Sequence, residues 1–141
     1  MSVTDSPLEV ILPFDFQNDL PRLRCSETIE AHSDTIRSIV FYSSQSEDGC
    51  ESQLATGGND TSIKLWNRRG NEWQHRKTLQ GHSSYVTCLW LMRRRERLLS
   101  ASSDHLVICW DLQSEDSLWR RKLPDEVICV AADASEQTVA A

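Results

Sequence analysis

No stretch of the 141-residue chain approaches the ~18 consecutive apolar residues of a membrane-spanning helix, which argues against the helical membrane classes. A basic N-terminal region is also missing. The opening MSVTDSPLEVILPFDF interrupts its short apolar stretch with Glu9, Pro13 and Asp15, so it does not read as a secretory signal, and a cytoplasmic or nuclear location is expected by default. The five cysteines, Cys25, Cys50, Cys88, Cys109 and Cys129, are odd in number, widely spaced and form no C-x-x-C pair, which argues against a zinc or redox site. Cys88, Cys109 and Cys129 lie inside apolar runs, where a thiol behaves as a small buried hydrophobe, so core packing is expected of them. Basic residues are outnumbered, 15 to 21, and the formal net charge of −6 argues against a general grip on nucleic acid, which needs a basic face. A Gly-rich phosphate loop, H-E-x-x-H, G-x-S-x-G, a kinase signature set and paired metal ligands are all missing. We therefore expect no catalytic residue, no metal and no cofactor.

What the chain does contain is a repeat. The apolar share of 39% and charged share of 26% belong to globular proteins. TIEAHSDTIRSIVF (28–41) aligns without gaps on TLQGHSSYVTCLWL (78–91), and LATGGNDTSIKLWN (54–67) aligns without gaps on LLSASSDHLVICWD (98–111). The copies are offset by 50 residues at the histidines and 44 at the tryptophans, and a repeat of about this length means stacked units rather than a single closed core. Each copy consists of short alternating runs rich in Val, Ile, Leu and Thr, bounded by Ser, Asp, Asn and Gly, and helix-period stripes are lacking. This pattern reads as successive antiparallel strands. In the second copy it predicts strands at 86–92, 98–102, 106–112 and 118–123, and in the first at 36–42, 53–57, 62–68 and 74–79. The first copy carries the extra residues SSQSEDGCESQ (43–53), expected to form a loop, where insertions cost little.

Gly81-His82, Ser102-x-Asp104 and Trp110-Asp111 together resemble the WD-repeat family, whose four-stranded blades of ~40 to 45 residues assemble into β-propellers. Ala31-His32 and Trp66-Asn67 depart mildly from the Gly-His and Trp-Asp dipeptides. The resemblance covers about residues 28–141 and implies an all-β fold, a partial β-propeller of four-stranded antiparallel blades. It further implies that His32, Thr56, Asp60 and Trp66, and again His82, Ser100, Asp104 and Trp110, form buried chains in which Trp donates to a hydroxyl, the hydroxyl pairs with His, and His pairs with Asp. Such chains are physically necessary, because an indole N–H and a carboxylate leave water only if each finds a partner. A Ser-His-Asp hydrolase reading is disfavoured, since the set occurs twice in adjacent repeats and a nucleophile has no reason to be duplicated.

The expected organisation is an N-terminal extension at 1–23, with one strand at 8–12 or 24–29 adding to the last blade of a ring, followed by a repeat region at 24–141. Within that region repeat 1 covers about 28–73, repeat 2 about 78–119 and a partial repeat 3 about 120–141. VICVAADASEQTVAA (127–141) resembles a first strand, a turn at 133–137 and the opening of a second strand, with PDE (124–126) in place of the Gly-His segment. About 2.5 blades do not close a ring of roughly 4 to 8. Exposed apolar faces follow, to be covered by missing blades or by self-association, and a fragment or truncated chain is the expected explanation.

Propellers bind partners largely through the loops at one end of the strands. By that resemblance the candidate partner-binding residues are Ser33, Asp34, Thr35 and Asn59 from one copy and Ser83, Ser84, Tyr85 and Ser103 from the next. Tyr85 stands out as an aromatic with a polar tip at a loop edge. Arg93, Arg94, Arg95 and Arg97, and Arg120, Arg121 and Lys122, read as solvated charge, with docking of an acidic partner as the alternative. Ser44 to Glu47 lies in an acidic segment open to phosphorylation, and the sequon Asn59-Asp60-Thr61 is expected to stay bare without a signal peptide. Trp73, Trp90 and Trp119 read as blade packing. Three functions remain open: a protein-interaction scaffold or adaptor subunit, a recognition module for a modified peptide or RNA, and the WD-repeat region of a longer enzyme.

Overall fold

The computed structural model describes residues 28–46 and 49–141. The expected extension at 1–23 and the strand at 8–12 lie outside the described residues, as does most of the strand at 24–29. Two four-stranded antiparallel sheets follow one another along the chain. The first consists of β1 (Ile36–Ser46), β2 (Gly49–Gly58), β3 (Ile63–Arg69) and β4 (Glu72–Leu79), in that spatial order. The second consists of β5 (Val86–Met92), β6 (Arg97–Ser102), β7 (Leu106–Asp111) and β8 (Ser117–Lys122), also in sequence order. A short hairpin of β9 (Ala131–Ala132) and β10 (Val139–Ala140) completes the set, and the described residues do not close into a ring.

Position in each sheet follows from composition. LLSAS in β6 and VICW in β7 are buried on both faces, so these strands read as nearly continuous runs of small and apolar residues. β8 carries Arg120, Arg121 and Lys122, all exposed, and lies at the sheet edge, where charge discourages pairing with another chain.

The two sheets stack face to face. Ala55, Ile63, Leu65 and Leu79 of the first meet Val86, Leu89, Leu98, Ile108, Trp110 and Leu112 of the second in one buried cluster. The approach is close enough that a Cβ on Gly57 would lie 2.7 Å from Val86 Cγ1, so only glycine fits there without movement. Polar ties cross the same boundary. The Leu89 N–H donates to Ser38 Oγ at 2.9 Å, and Arg76 of β4 reaches Glu115, in the turn before β8, at 2.5 Å. On the far face of the second sheet Met92, Leu99, Ala101, Val107 and Cys109 pack against Val127 and Val130. The face of the first sheet turned away from the second is only partly covered: Ile29 and Ala31 pack on Leu54, Trp66 and Trp73, while Ile39 and Phe41 are 54% and 62% exposed.

Two local expectations need correction. The segment 43–53 is not a loop: β1 and β2 extend through it as a hairpin, pairing Ser43 with Ser52 and onward to Ser46 with Gly49. The backbone pairing supplies the hydrogen bonds that a loop would leave to solvent. In the third copy, 127–130 forms no strand; it runs as an extended strap whose Val127 N–H donates to Ser102 O at 3.2 Å.

Candidate functional site

The repeated polar residues meet on the same face of each sheet, the one that in the second sheet is turned toward the first. In the second, the Trp110 indole N–H donates to Ser100 Oγ at 2.9 Å, and the same hydroxyl lies 2.7 Å from His82 Nε2. His82 Nδ1 is 2.9 Å from Asp104 Oδ2, which also accepts the Ser83 N–H at 2.8 Å, while Oδ1 accepts the Leu106 N–H at 2.9 Å. A single tautomer satisfies the chain, with Nδ1–H donating to the carboxylate and Nε2 accepting from the serine hydroxyl. Burial pushes the His82 pKa below its usual value of 6.5, outweighing the pull of Asp104, which favours this neutral form. Burial would raise the Asp104 carboxyl, but the Ser83 N–H, His82 and the Leu106 N–H together hold it below the ordinary range.

The first sheet repeats the arrangement. Trp66 Nε1 donates to Thr56 Oγ1 at 3.1 Å, and His32 spans Thr56 Oγ1 and Asp60 Oδ1, each at 2.8 Å. Burial would raise the Asp60 carboxyl as well, yet bonds from His32 and from the Ser62 hydroxyl and backbone lower it to about 2. Ser62, which spacing did not single out, donates its hydroxyl to Asp60 at 2.8 Å. Its counterpart in the second copy is Leu106, so repetition gave no signal.

At the ends of β1 and β5 the loop residues form a continuous rim. The Asn59 N–H donates to Thr35 O at 2.9 Å, and the Ser103 N–H donates to Tyr85 O at 3.1 Å. Asp34 accepts from the Thr35 N–H, which lowers its carboxyl pKa, and the Ser33 N–H donates to Asp60 Oδ2 at 3.3 Å. Arg37, missed in the sequence, joins the two repeats: its Nε donates to Asn59 Oδ1 at 2.6 Å and its guanidinium lies 5.5 Å from the centre of the Tyr85 ring. Beside it opens a groove of about 460 Å³, lined by Arg37, Ser84, Tyr85, Thr87, Ser103, Glu126 and Ile128. Ile128 is 79% exposed, which the strand reading of 127–130 concealed.

At the opposite strand ends a cavity of about 560 Å³ separates Phe41 and Tyr42 from Leu91, Arg93 and Leu112. Burial raises the Tyr42 phenol to about 12, so this side chain stays neutral. Arg93 and Arg94 are exposed in a 3-10 turn, whereas Arg97 is half-buried in β6 and departs from the solvated reading. No group of three or more His, Cys, Asp or Glu side chains able to hold a metal occurs among the described residues.

Two segments, 23–67 and 73–111, match the family model of the WD domain, G-beta repeat. The chain belongs to this WD-repeat family. A WD repeat-containing protein of Schizosaccharomyces pombe is 35% identical over 105 residues, covering 74% of the chain and 28% of the relative. The nuclear distribution protein PAC1 of Gibberella zeae is 45% identical over 62 residues, 44% of the chain and 13% of that protein. The nuclear distribution protein nudF 1 of Talaromyces marneffei is 41% identical over 71 residues, 50% of the chain and 15% of that protein. The chain thus spans under a third of the length of each relative.

For a WD repeat, the chemistry of the buried residues is structural: both hydroxyls already accept an indole N–H beside the histidine. No helix among the described residues is long and apolar enough to cross a membrane. Cys109 is buried, but Cys129 is exposed and Cys88 half-buried, which corrects the expectation that all three serve as core. Trp90 and Trp119 are each 40% exposed, so packing uses only part of these rings.

Proposed function

We propose that this chain is part of a protein-interaction scaffold or adaptor whose partner-facing surface is the rim of Ser33, Asp34, Thr35, Asn59, Ser83, Ser84, Tyr85 and Ser103, together with Arg37 and Ile128. The observation that carries the reading is the Arg37–Tyr85 pair. It places a cation over a 47% exposed aromatic ring at the junction of two WD repeats, beside an exposed isoleucine and an open groove. Interfaces draw most of their binding energy from such aromatic and arginine anchors, around which neutral polar residues exclude water. The surrounding serines and Asn59 offer adaptable hydrogen bonds without a permanent charge. Catalysis has no part in this reading.

The whole protein is then a propeller in which further blades cover the free face of the first sheet, acting in the cytoplasm or nucleus. The lengths of the relatives, several times that of the matched segments, support this. Nuclear distribution proteins among the relatives are in keeping with an assembly role. The test is quantitative affinity capture by the complete protein, comparing the natural sequence with Tyr85→Ala, Arg37→Ala and, at the other strand ends, Arg93→Ala. The rim substitutions should lower recovery of the same partners at least about 10-fold, as expected for hot spots, while Arg93→Ala leaves it unchanged. Equal recovery from all three would overturn the proposal.

A further inference from the structure

Cys88 and Cys129 come from segments 41 residues apart in sequence, yet their sulfurs lie 3.7 Å from each other. Cys88 belongs to β5, an edge strand of the second sheet, and Cys129 to the strap that joins β8 to β9. The strap is held on β5 by few bonds: the Thr87 hydroxyl donates to Val127 O at 2.6 Å, and the Cys88 thiol approaches Val130 O at 3.8 Å. Val127 and Val130 of the strap are buried, while Ile128 and Cys129 face solvent.

We propose that Cys88 and Cys129 form a thiol–disulfide latch that reacts with low-molecular-weight disulfides and, when oxidised, ties the strap to β5. Bond formation needs the sulfurs to approach by about 1.7 Å, given an S–S length of about 2.05 Å. An extended strap without a full backbone ladder can move that far. The order of events follows from exposure. The Cys129 thiolate, reached first, attacks one sulfur of the disulfide RSSR; that S–S bond breaks, RS⁻ leaves and a mixed disulfide forms on Cys129. Cys88, its proton released to water, then attacks Cys129 Sγ and expels the second RS⁻. The two RS⁻ take up protons, so the protein dithiol loses two electrons and RSSR becomes two RSH.

Burial, reinforced by Cys129, pushes the Cys88 thiol pKa up, which leaves less of it as thiolate, so its attack relies on the target sulfur being already adjacent. Cys109 is 1% exposed in the sheet interior and has no part in the exchange. The same strap contributes Glu126 and Ile128 to the rim groove, so the latch would hold one wall of that groove in place. The latch stands whether or not the groove binds a protein.

The test incubates the natively folded full chain in glutathione buffers of increasing oxidised fraction, followed by acid quench, alkylation and mass spectrometry of unreduced peptides. The expected result is a Cys88–Cys129 linked peptide that grows with oxidised glutathione and disappears on reduction. Cys88→Ser should instead accumulate glutathione on Cys129, and Cys109→Ser should leave the linked yield unchanged. The linked form should also melt at least about 4 °C higher than the reduced one, because a crosslink removes freedom mainly from the unfolded chain. Two free thiols throughout the series would overturn the proposal, as would a stable glutathione adduct on Cys129 of the natural sequence, or a linked form with unchanged melting.

Discussion

Ser100 Oγ serves two buried groups at once, accepting the Trp110 indole N–H while bonded to His82, and at 0% exposure it has no water to replace either. Removing it strands both, and each stranded group costs roughly 1 to 3 kcal/mol. Ser100→Ala should therefore destabilise the chain by about 2 to 4 kcal/mol in urea unfolding, whereas Ser100→Thr should cost well under that, since Thr56 fills the same place in the first repeat. Acid acts on the same groups. With the His82 pKa lowered on folding, the folded state binds fewer protons than the unfolded chain below 6.5, so its contribution is complete above 6.5 and declines as pH falls from there. Asp60, held at about 2, contributes fully above the unfolded value of 3.8 and loses its contribution as pH falls through 2. The melting temperature should thus drop in two stages on acidification, with His82→Gln flattening the upper and Asp60→Asn the lower; an acid profile that neither variant changes would contradict the assignment. The eight tetrad positions were legible because hydroxyl, Asp and Trp recur at the same spacing in two copies, each preceded by a His. Arg37 and Ser62 were not, because Arg37 finds its ring in the other repeat and Ser62 has a leucine as its counterpart.

Strand placement was legible to within a few residues because alternation and turn residues mark the same limits; β5 covers the 86–92 expected. The misread elements are those in which the apolar pattern and the backbone pairing part company. A polar hairpin such as 43–53 lacks the apolar alternation that identifies a half-buried strand, and an apolar run such as 127–130 looks like a strand even when it packs as a strap. Turn geometry was also silent in sequence: Thr61 and His105, in equivalent β2–β3 and β6–β7 turns, adopt left-handed φ of 67° and 71°. For a β-branched residue this conformation is strained by roughly 1 to 3 kcal/mol. Asn tolerates it better, so Thr61→Asn should stabilise the chain by about 1 kcal/mol, seen as a higher urea midpoint at unchanged slope. The opposite is expected at Gly81, where a Cβ would meet the Trp110 ring at 2.8 Å. The first repeat carries Ala31 at this position, beside a tryptophan on the partly covered face of its sheet. Trp110 is instead clamped in the core between sheets, so Gly81→Ala should cost about 1 to 3 kcal/mol by overpacking.

Across the whole molecule, stacking of one sheet on the next is the principal long-range association, and it joins apolar contact to the Arg76–Glu115 and Ser38–Leu89 ties. The repeat period announced two stacked units, but not which pairs bridge them, because interface partners lie in different copies and have no internal duplicate to mark them. The same stacking logic applies to the free side of the first sheet. Ile39 and Phe41 occupy it at 54% and 62% exposure, although residues of this kind contribute roughly 1.5 to 3 kcal/mol each when fully buried. With that gain unrealised, the 141-residue chain should associate with itself as its concentration rises. Ile39→Thr combined with Phe41→Ser should reduce the association in sedimentation velocity and leave the far-UV circular dichroism of the folded state unaltered. In the complete protein, where a neighbouring blade would cover this face, the same double substitution should instead lower the melting temperature. Equal and small effects in both contexts would mean that no blade packs there.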